Sequence, residues 1–215
     1  MPRPQVINVT DKAGLDQGLK AAADTLALGG VVALPTESFY GLCVDVRRED
    51  AIRRLFLIKK RDPERPVLLL AASEEQALGY FKGPVSRTVR RLMAKFWPGG
   101  LTLVYWAGPA VNPLLTGRTD KIGVRVSGHP IPRAVAESLG GAVTGTSANL
   151  SGLEPCTLAG EVVEAVGPDI DLLLDGGPTP GGSGSTVLDV TSDQPEVLRP
   201  GLVSREDIES VLLSG

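Results

Sequence analysis

Residues 31–46, VVALPTESFYGLCVDV, consist of two apolar runs on either side of a short polar segment. The first run, at 31–34, predicts a buried strand, and the second, at 42–46, predicts another strand directly after it. The polar segment between them carries the side chains of Thr36, Glu37, Ser38 and Tyr40. Ligands of open α/β sheets bind where core strands end, so this segment is a candidate ligand site. The same residue types also form ordinary turns, and the segment alone leaves both interpretations open.

The rest of the chain alternates between strand and helix patterns. The helix at 86–97 is the clearest, because its apolar residues recur at helical spacing. Such alternation is typical of an α/β fold, and the successive strands within 31–46 and 101–126 indicate a mixed sheet. We therefore predict a twisted, open, mixed sheet flanked by helices. The predicted strands lie at 6–9, 31–35, 42–46, 67–72, 101–106, 122–126, 142–146, 170–174, 187–190 and 197–198. The predicted helices lie at 11–28, 49–60, 86–97, 132–139 and 158–166, and two more begin at Ser73 and Ser204.

Length and composition predict one globular domain over residues 1–215. Hydrophobic residues make up 42% of the chain and charged residues 22%, as in proteins that bury a core. No apolar run approaches the length of a membrane span, and the N-terminus lacks the apolar region of a signal peptide. Cys43 and Cys156 are far apart in the sequence and belong to no C-x-x-C pair. We therefore expect no disulfide or zinc site, and a reducing, cytoplasmic setting.

The charges are distributed unevenly along the chain. The net charge of −3 argues against a general binder of polyanions. Residues 47–119 nevertheless contain 14 Lys or Arg against 6 acidic residues, whereas residues 120–215 contain 5 against 14. Solvated helix faces account for most of the basic residues. An anionic ligand such as a nucleotide would account for a subset of them.

Groups that can bind anions recur at the predicted strand ends. Lys59 and Arg61 close the predicted helix at 49–60, and the next residues lead directly into a buried strand, which keeps both cations at the rim of the sheet. The same positions suit the helix dipole, so a purely structural role stays open. Residues 146–152, TSANLSG, offer hydroxyl, amide and backbone N–H groups. The strand-end candidates are Thr36, Ser38, Arg61, Arg125, Ser147, Asn149, Ser185 and Arg199.

These groups include no activated nucleophile and no evident base. Residues 145–149 lack the second glycine of a nucleophile elbow, and His129 is interpreted as a loop residue. The glycine-rich segment 176–184 is interpreted as a mobile loop, and residues 181–186, GGSGST, lack the lysine of a Walker A motif. No cluster of His, Cys and acidic residues supports a transition-metal site. The candidates suit a protein that positions charged substrates and neutralises phosphates, as in nucleotidyl transfer.

Seven blocks of sequence follow one another in order along the chain. They are PTESFYGL at 35–42, Lys59-x-Arg61 with Pro66, FWPGGLTL at 96–103, VRV at 124–126, SANLSG at 147–152, STV at 185–187 and RPG at 199–201. Together they resemble the motifs of the threonylcarbamoyl-AMP synthases, a family with the YrdC-type fold. The resemblance covers nearly the whole chain, and the ordered set is far more specific than any single block. Because one helix follows residue 201, we expect the short, single-domain form.

The resemblance implies formation of threonylcarbamoyl-AMP and pyrophosphate from L-threonine, bicarbonate and ATP. That product serves the threonylcarbamoyladenosine modification of tRNA, so the tRNA threonylcarbamoyl transferase machinery is the implied downstream partner. Carried over by position, the threonine ligands are Thr36, Ser38, Arg125 and Ser185. The implied ATP ligands are Lys59, Arg61, Ser147, Asn149 and Arg199. No catalytic acid or base is assigned, and positioning and charge stabilisation are assigned to Lys59, Arg61 and Arg199. Mg²⁺ is expected on the ATP phosphates, whose charge it offsets, without dedicated protein ligands.

The chain departs from the family pattern at a few positions, and two alternatives stay open. Ser38 replaces the commoner Thr, and Leu70 stands where some members have a His near the threonine. The other departures are Asp62, Gly100 and Ser127, each in place of a Pro. One alternative is the carbamoyl-adenylate-forming module of hydrogenase maturation, which belongs to larger chains with zinc-finger motifs. The other is an RNA-binding module on the basic face of 47–95, where aromatic residues are scarce. Weak RNA or tRNA contact stays possible as a secondary property, and Glu37 has no assigned role.

Overall fold

In the computed structural model, which describes residues 3–213, ten β-strands form one mixed sheet flanked by seven α-helices. The predicted mixed, helix-flanked sheet is therefore confirmed. That residues 1–215 form a single domain stays a prediction. No helix in the described part is long and apolar enough to cross a membrane. The strands are β1 (Gln5–Asn8), β2 (Val32–Pro35), β3 (Tyr40–Cys43), β4 (Leu68–Ala71), β5 (Leu101–Trp106), β6 (Lys121–Val126), β7 (Val143–Ser147), β8 (Leu172–Asp175), β9 (Thr186–Asp189) and β10 (Glu196–Arg199). The helices are α1 (Lys12–Ala27), α2 (Glu49–Lys59), α3 (Glu74–Leu78), α4 (Arg87–Phe96), α5 (Pro130–Leu139), α6 (Ala159–Val166) and α7 (Arg205–Leu213).

The strand order across the sheet is β1-β8-β2-β3-β7-β4-β6-β5-β9-β10. Neighbouring strands that are consecutive in sequence pair antiparallel; these pairs are β2 with β3, β5 with β6, and β9 with β10. The parallel pairs, such as β4 with β6 and β5 with β9, join strands that are distant in sequence. The sheet therefore places segments from both halves of the chain next to each other at its centre.

The turn between β2 and β3 is tighter than the sequence pattern predicts. The N–H of Thr36 donates to the carbonyl oxygen of Phe39 over 3.1 Å, and Pro35 then pairs directly with Tyr40. The predicted strand at 42–46 is therefore wrong at both ends, because β3 begins at Tyr40 and ends at Cys43. Regular pairing ends there because the next N–H, that of Val44, donates to the side-chain hydroxyl of Thr144. Beyond Cys43 the pairing with β7 is irregular: the N–H of Thr144 donates to the carbonyl oxygen of Val44 over 3.0 Å, and Asp45 forms an isolated bridge with Val143.

Successive residues of each strand face opposite sides of the sheet, and the two sides are covered differently. On one side, Val32 and Leu34 of β2 pack with Leu26 of α1 and Val135 of α5. These two helices contact each other and cover the sheet along β1, β8, β2 and β4. Asp11 fixes the start of α1, since its carboxylate accepts from the N–H of Gly14 over 2.8 Å.

The opposite side is covered by the larger apolar cluster. Ala33 of β2, Leu42 of β3 and Leu69 of β4 point into it, together with apolar residues of α2, α3, α4, α6 and α7. Five helices thus cover this side, whereas α1 and α5 cover only part of the first side. The uncovered part of the first side lies over β7, β6, β5 and β9 and begins at β4, which α5 covers only in part.

A substitution in the larger cluster tests this packing. Leu69 is fully buried at the centre of β4, so Leu69→Ala should lower the free energy of unfolding by about 2–5 kcal/mol, through lost burial and the cavity left behind. The control Leu57→Ala removes a leucine that is 77% exposed on α2, and it should change stability by less than about 0.5 kcal/mol. Denaturant unfolding of both variants measures the difference. Equal losses would contradict the assigned burial.

Candidate active site

The uncovered part of the sheet forms the floor of a cavity of about 780 Å³. Alternate residues of the central strands supply this floor, as expected for one face of a pleated sheet. They are Leu68 and Leu70 of β4, Thr102 and Val104 of β5, Lys121, Gly123 and Arg125 of β6, and Gly145 and Ser147 of β7. The ligand crevice predicted at the strand ends is therefore an open sheet face, because α1 and α5 stop short of it. Cavities of about 300–1,000 Å³ are typical of small-molecule sites.

The turn at 36–39 forms one wall of the cavity, and its two hydroxyl groups have different tasks. The Thr36 hydroxyl closes the turn, since it donates to the carbonyl oxygen of Phe39 over 2.7 Å and accepts from the N–H groups of Ser38 and Phe39 over 3.3 Å each. The Ser38 hydroxyl lies 3.5 Å from that of Thr36, at the limit of a hydrogen bond. Ser38 is thus the freer hydroxyl for a ligand, and Thr36 holds the turn in shape.

Arg125 lies on the cavity floor and is almost completely buried. Its Nη1 donates to Oε1 of Glu37, whose other oxygen accepts from the Ser127 hydroxyl over 2.6 Å. Burial lowers the pKa of Arg125 from its usual value, an effect that the nearby charge of Glu37 opposes. The guanidinium Nε has no hydrogen-bond partner among the described residues. Arg125 therefore presents a buried, partly unused hydrogen-bonding edge.

Ser185 and Arg199 form a second wall. The Ser185 hydroxyl is 2.8 Å from that of Thr102, and Nη2 of Arg199 donates to the Ser185 carbonyl oxygen over 2.7 Å. Gly201 holds this wall close, because a Cβ at its position would lie 2.2 Å from the carbonyl oxygen of Gly184. Only glycine fits that approach, which explains the RPG block by packing.

The charge of the cavity is predominantly positive. Arg61 and Arg199 line it without an ion-pair partner among residues 3–213, and burial lowers the pKa of each. Lys121 also lines it but is paired with Asp189 over 2.8 Å. Arginines in a partly enclosed site attract phosphates and carboxylates and bind them with two parallel hydrogen bonds. The site therefore suits a ligand with several negative charges.

Lys59 and Asn149 lie behind the wall rather than on it. The Lys59 amine donates to the carbonyl oxygens of Ser147 and Asn149, the latter over 2.7 Å. Burial, followed by the nearby charge of Arg61, lowers the pKa of Lys59 to about 8. The Asn149 side chain accepts from the Ser147 hydroxyl over 2.5 Å and donates to the carbonyl oxygen of Leu153. In this arrangement both residues hold the loop after β7, and their role as ATP ligands stays a prediction.

The glycine-rich segment at 176–184 is tied to the rest of the site. The Tyr40 hydroxyl donates to the carbonyl oxygen of Gly177 over 2.7 Å. The N–H of Gly181 donates to the carbonyl oxygen of Ser38, also over 2.7 Å. Burial, with the charge of Asp175, raises the pKa of Tyr40 to about 12, so its hydroxyl stays a donor. Ser183 and Gly184 at the end of the segment line the cavity. Motion of this segment stays a prediction.

The structure thus brings most of the predicted residues to one cavity and adds others. Its lining includes Thr36, Ser38, Arg61, Arg125, Ser147, Ser185 and Arg199. The sequence did not single out Thr102, Lys121 and Asp189 of the cavity lining or the contacts of Glu37 and Ser127. Polar residues at alternate positions of β6, Lys121 and Arg125 around Gly123, were the signal for the floor. His129 caps α5, its Nδ1 accepting from the N–H of Ile131 over 3.3 Å.

Comparisons with known proteins identify relatives of this chain in sequence and in fold. The Bacillus subtilis threonylcarbamoyl-AMP synthase is 36% identical over 208 residues, which cover 96% of this chain and 60% of that protein. The enzyme of the same name from Idiomarina loihiensis is 38% identical over 72% of this chain and 83% of its own length. A crystal structure of Pyrococcus abyssi Sua5 complexed with L-threonine superposes with a TM-score of 0.90 at 35% identity, over 96% of this chain and 60% of that one. The YrdC-like fold is therefore confirmed.

The family assignment rests on most of the chain. This chain spans about 60% of the length of its Bacillus and Pyrococcus relatives. The Sua5/YciO/YrdC family model, described as "Telomere recombination", matches residues 24–201, which include every residue of the cavity lining. The chain belongs to the Sua5/YciO/YrdC family.

Proposed function

We propose that this protein forms threonylcarbamoyl-AMP and pyrophosphate from L-threonine, bicarbonate and ATP. The observation that carries the proposal is one cavity that joins a buried arginine beside hydroxyl groups to two further arginines, neither of which has an ion-pair partner in the described part of the chain. Such a cavity can hold an amino acid and a triphosphate side by side. Related proteins named threonylcarbamoyl-AMP synthase support the reaction, and the threonine complex of Pyrococcus abyssi Sua5 supports threonine as the amino acid.

The proposed binding site for the threonine carboxylate is Arg125. Its guanidinium would take the substrate carboxylate by two parallel hydrogen bonds, the strongest geometry for this pair. Ser38 from the 36–39 turn and Ser185 from the opposite wall provide hydroxyl groups on either side. Thr36 supports the site by holding the turn. The substrate amine then remains free to react.

The residues proposed to bind ATP are Arg61, Arg199 and Ser147. The neutral threonine amine and bicarbonate give a carbamate and water, and a carbamate oxygen attacks the α-phosphorus of ATP. The bond from the α-phosphorus to the oxygen bridging to the β-phosphate breaks, and pyrophosphate leaves. The protein contributes position and positive charge, and no side chain needs to take a proton from the attacking carbamate oxygen.

Mg²⁺ is proposed to enter with ATP. Among the described residues, Asp189 is the one carboxylate on the cavity lining, and it is held by Lys121 over 2.8 Å and by the Thr191 hydroxyl over 2.6 Å. The other side-chain oxygens on the lining belong to hydroxyl groups, those of Thr146 and Ser147 among them, and such a donor set fits an ion held mainly by phosphate and water. When bound, the ion would offset negative charge on the phosphates.

Contacts beyond the small molecules are separate proposals. Arg87, Arg90 and Lys95 are exposed along α4 and give a basic helix face on which weak RNA or tRNA contact is proposed. Use of the product by a tRNA threonylcarbamoyl transferase is likewise proposed. Salt-sensitive RNA binding in the absence of pyrophosphate release would favour the RNA-binding alternative instead.

The reaction itself gives the first test. Purified protein with ATP and Mg²⁺ should release pyrophosphate only when L-threonine and bicarbonate are both present, because the attacking carbamate forms from these two. A coupled pyrophosphate assay measures the release, with each component omitted in turn. Release without threonine would contradict the proposal, and release with carbamoyl phosphate in place of threonine and bicarbonate would favour the hydrogenase-maturation type.

Arg61 gives a test of the nucleotide end. Because its charge has no ion-pair partner among the described residues, Arg61→Ala should raise the KM for ATP by roughly tenfold, the effect of losing one charge-assisted hydrogen bond. The KM for threonine and the melting temperature should change little. Arg53→Ala is the matched control, since Arg53 lies on α2 in an exposed ion pair with Glu49. An ATP KM unchanged in both variants would exclude a phosphate contact at Arg61.

Lys59 should behave differently from Arg61. Lys59→Ala leaves two buried carbonyl oxygens without their shared charged donor, and each such loss costs about 1–3 kcal/mol. Activity and melting temperature should therefore fall together, as measured by steady-state kinetics and thermal unfolding. Lys20→Ala, at an exposed position of α1, is the control. Loss of activity with an unchanged melting temperature would instead identify Lys59 as a phosphate ligand.

A further inference from the structure

Glu37 is the residue of the 36–39 turn to which the sequence assigns no role. Both of its carboxylate oxygens are occupied: one accepts from Nη1 of Arg125, and the other accepts from the Ser127 hydroxyl over 2.6 Å. Ser127 in turn accepts from the N–H of His129 over 3.2 Å, so the network continues into the backbone at the start of α5. A carboxylate engaged at both oxygens is poorly suited to act as a base or a metal ligand.

The contact with Glu37 decides which edge of the arginine is available. The guanidinium has a side edge formed by Nε and Nη2 and an outer end that includes Nη1. Glu37 occupies Nη1, while Nε is buried and has no hydrogen-bond partner within residues 3–213. The side edge is one of the two that bind a carboxylate by paired hydrogen bonds. Arg125 lines the cavity and Glu37 does not, so the carboxylate supports the arginine from behind.

Charge explains why this support is needed. The side chain of Arg125 is 7% exposed and that of Glu37 is 18% exposed, so the pair is largely withdrawn from water. Burial and the nearby charge of Arg199 both act against the charged form of Arg125, and Glu37 acts in its favour. A buried cation that loses its partner reorients toward whatever acceptor or solvent it can reach. The position of the guanidinium therefore depends on the carboxylate.

We propose that Glu37 is a positioning residue for amino-acid binding. It holds Arg125 by Nη1 and so fixes the guanidinium at the cavity floor, and Ser127 fixes the carboxylate in turn. The inference rests on the proposed function, in which Arg125 takes the carboxylate of threonine. It assigns Glu37 no contact with substrate and no part in proton transfer.

Kinetics of Glu37→Gln test this role. The neutral amide keeps the size of the side chain but cannot hold both partners as a carboxylate does. The KM for L-threonine should rise by about 10- to 100-fold, the range for one lost charge-assisted interaction, while kcat and the KM for ATP stay within about twofold. A merely structural role would instead lower kcat, both affinities and the melting temperature together.

Two further variants complete the test. Asp45→Asn is the matched control, since Asp45 is a buried carboxylate paired with Arg47 over 2.8 Å outside the cavity lining, and its loss should leave the KM for threonine unchanged. Glu37→Asp keeps the charge at a shorter reach, so it should raise the threonine KM by less than Glu37→Gln does. If the Glu37→Gln variant does not fold, the threonine KM of Glu37→Asp tests the positioning role in its place.

The outcomes separate this inference from the proposed function. A wild-type protein without threonine-dependent pyrophosphate release would remove the proposed function itself. A wild-type protein with that activity, and Glu37 variants with an unchanged KM for threonine, would overturn the positioning role alone. A rise in both KM values together with a matching loss of stability would also overturn it.

Discussion

The buried ion pair between Arg125 and Glu37 joins three parts of the structure that are distant in sequence. Glu37 belongs to the turn between β2 and β3, Arg125 to the central strand β6, and Ser127 to the start of the connection to α5. A cation placed on the face of a central strand needs a partner, because an unpaired buried charge is strongly unfavourable. The turn supplies that partner and is itself closed by the Thr36 hydroxyl. The shape of the cavity wall and the orientation of the arginine are thereby set together.

A second buried cation shapes the other end of the site in a different way. Lys59 has no carboxylate partner among the described residues and is satisfied by backbone carbonyl oxygens of the loop after β7. Burial lowers the pKa of the amine to about 8, and its hydrogen bonds are directed to these carbonyl oxygens behind the cavity wall. The arginines that line the cavity are Arg61, Arg125 and Arg199. Arg61 and Arg199 also donate to backbone carbonyl oxygens, of Pro66 and Ser185 respectively, yet both line the cavity, whereas Lys59 lies behind its wall.

Much of this site could be predicted from the sequence, and particular residues show where prediction stops. Ser38, Arg125 and Ser185 belong to ordered motifs, and they meet on one cavity because β2, β6 and β9 belong to the same sheet. The open sheet face was not predictable, because it depends on how far α1 and α5 extend over the strands. The contact between Glu37 and Arg125 spans 88 positions and follows from no local pattern. Helix periodicity likewise could not show that Lys59 turns inward toward backbone carbonyls.

A crystal structure of the protein with L-threonine and a non-hydrolysable ATP analogue tests the account most directly. We expect the threonine carboxylate at about 2.7–2.9 Å from the guanidinium nitrogens of Arg125, the usual distance for such charged pairs. Glu37 should keep its bonds to Arg125 and Ser127 in that complex, and the phosphates should lie against Arg61 and Arg199. Threonine bound away from Arg125, or Glu37 released from the arginine when the site is filled, would contradict it.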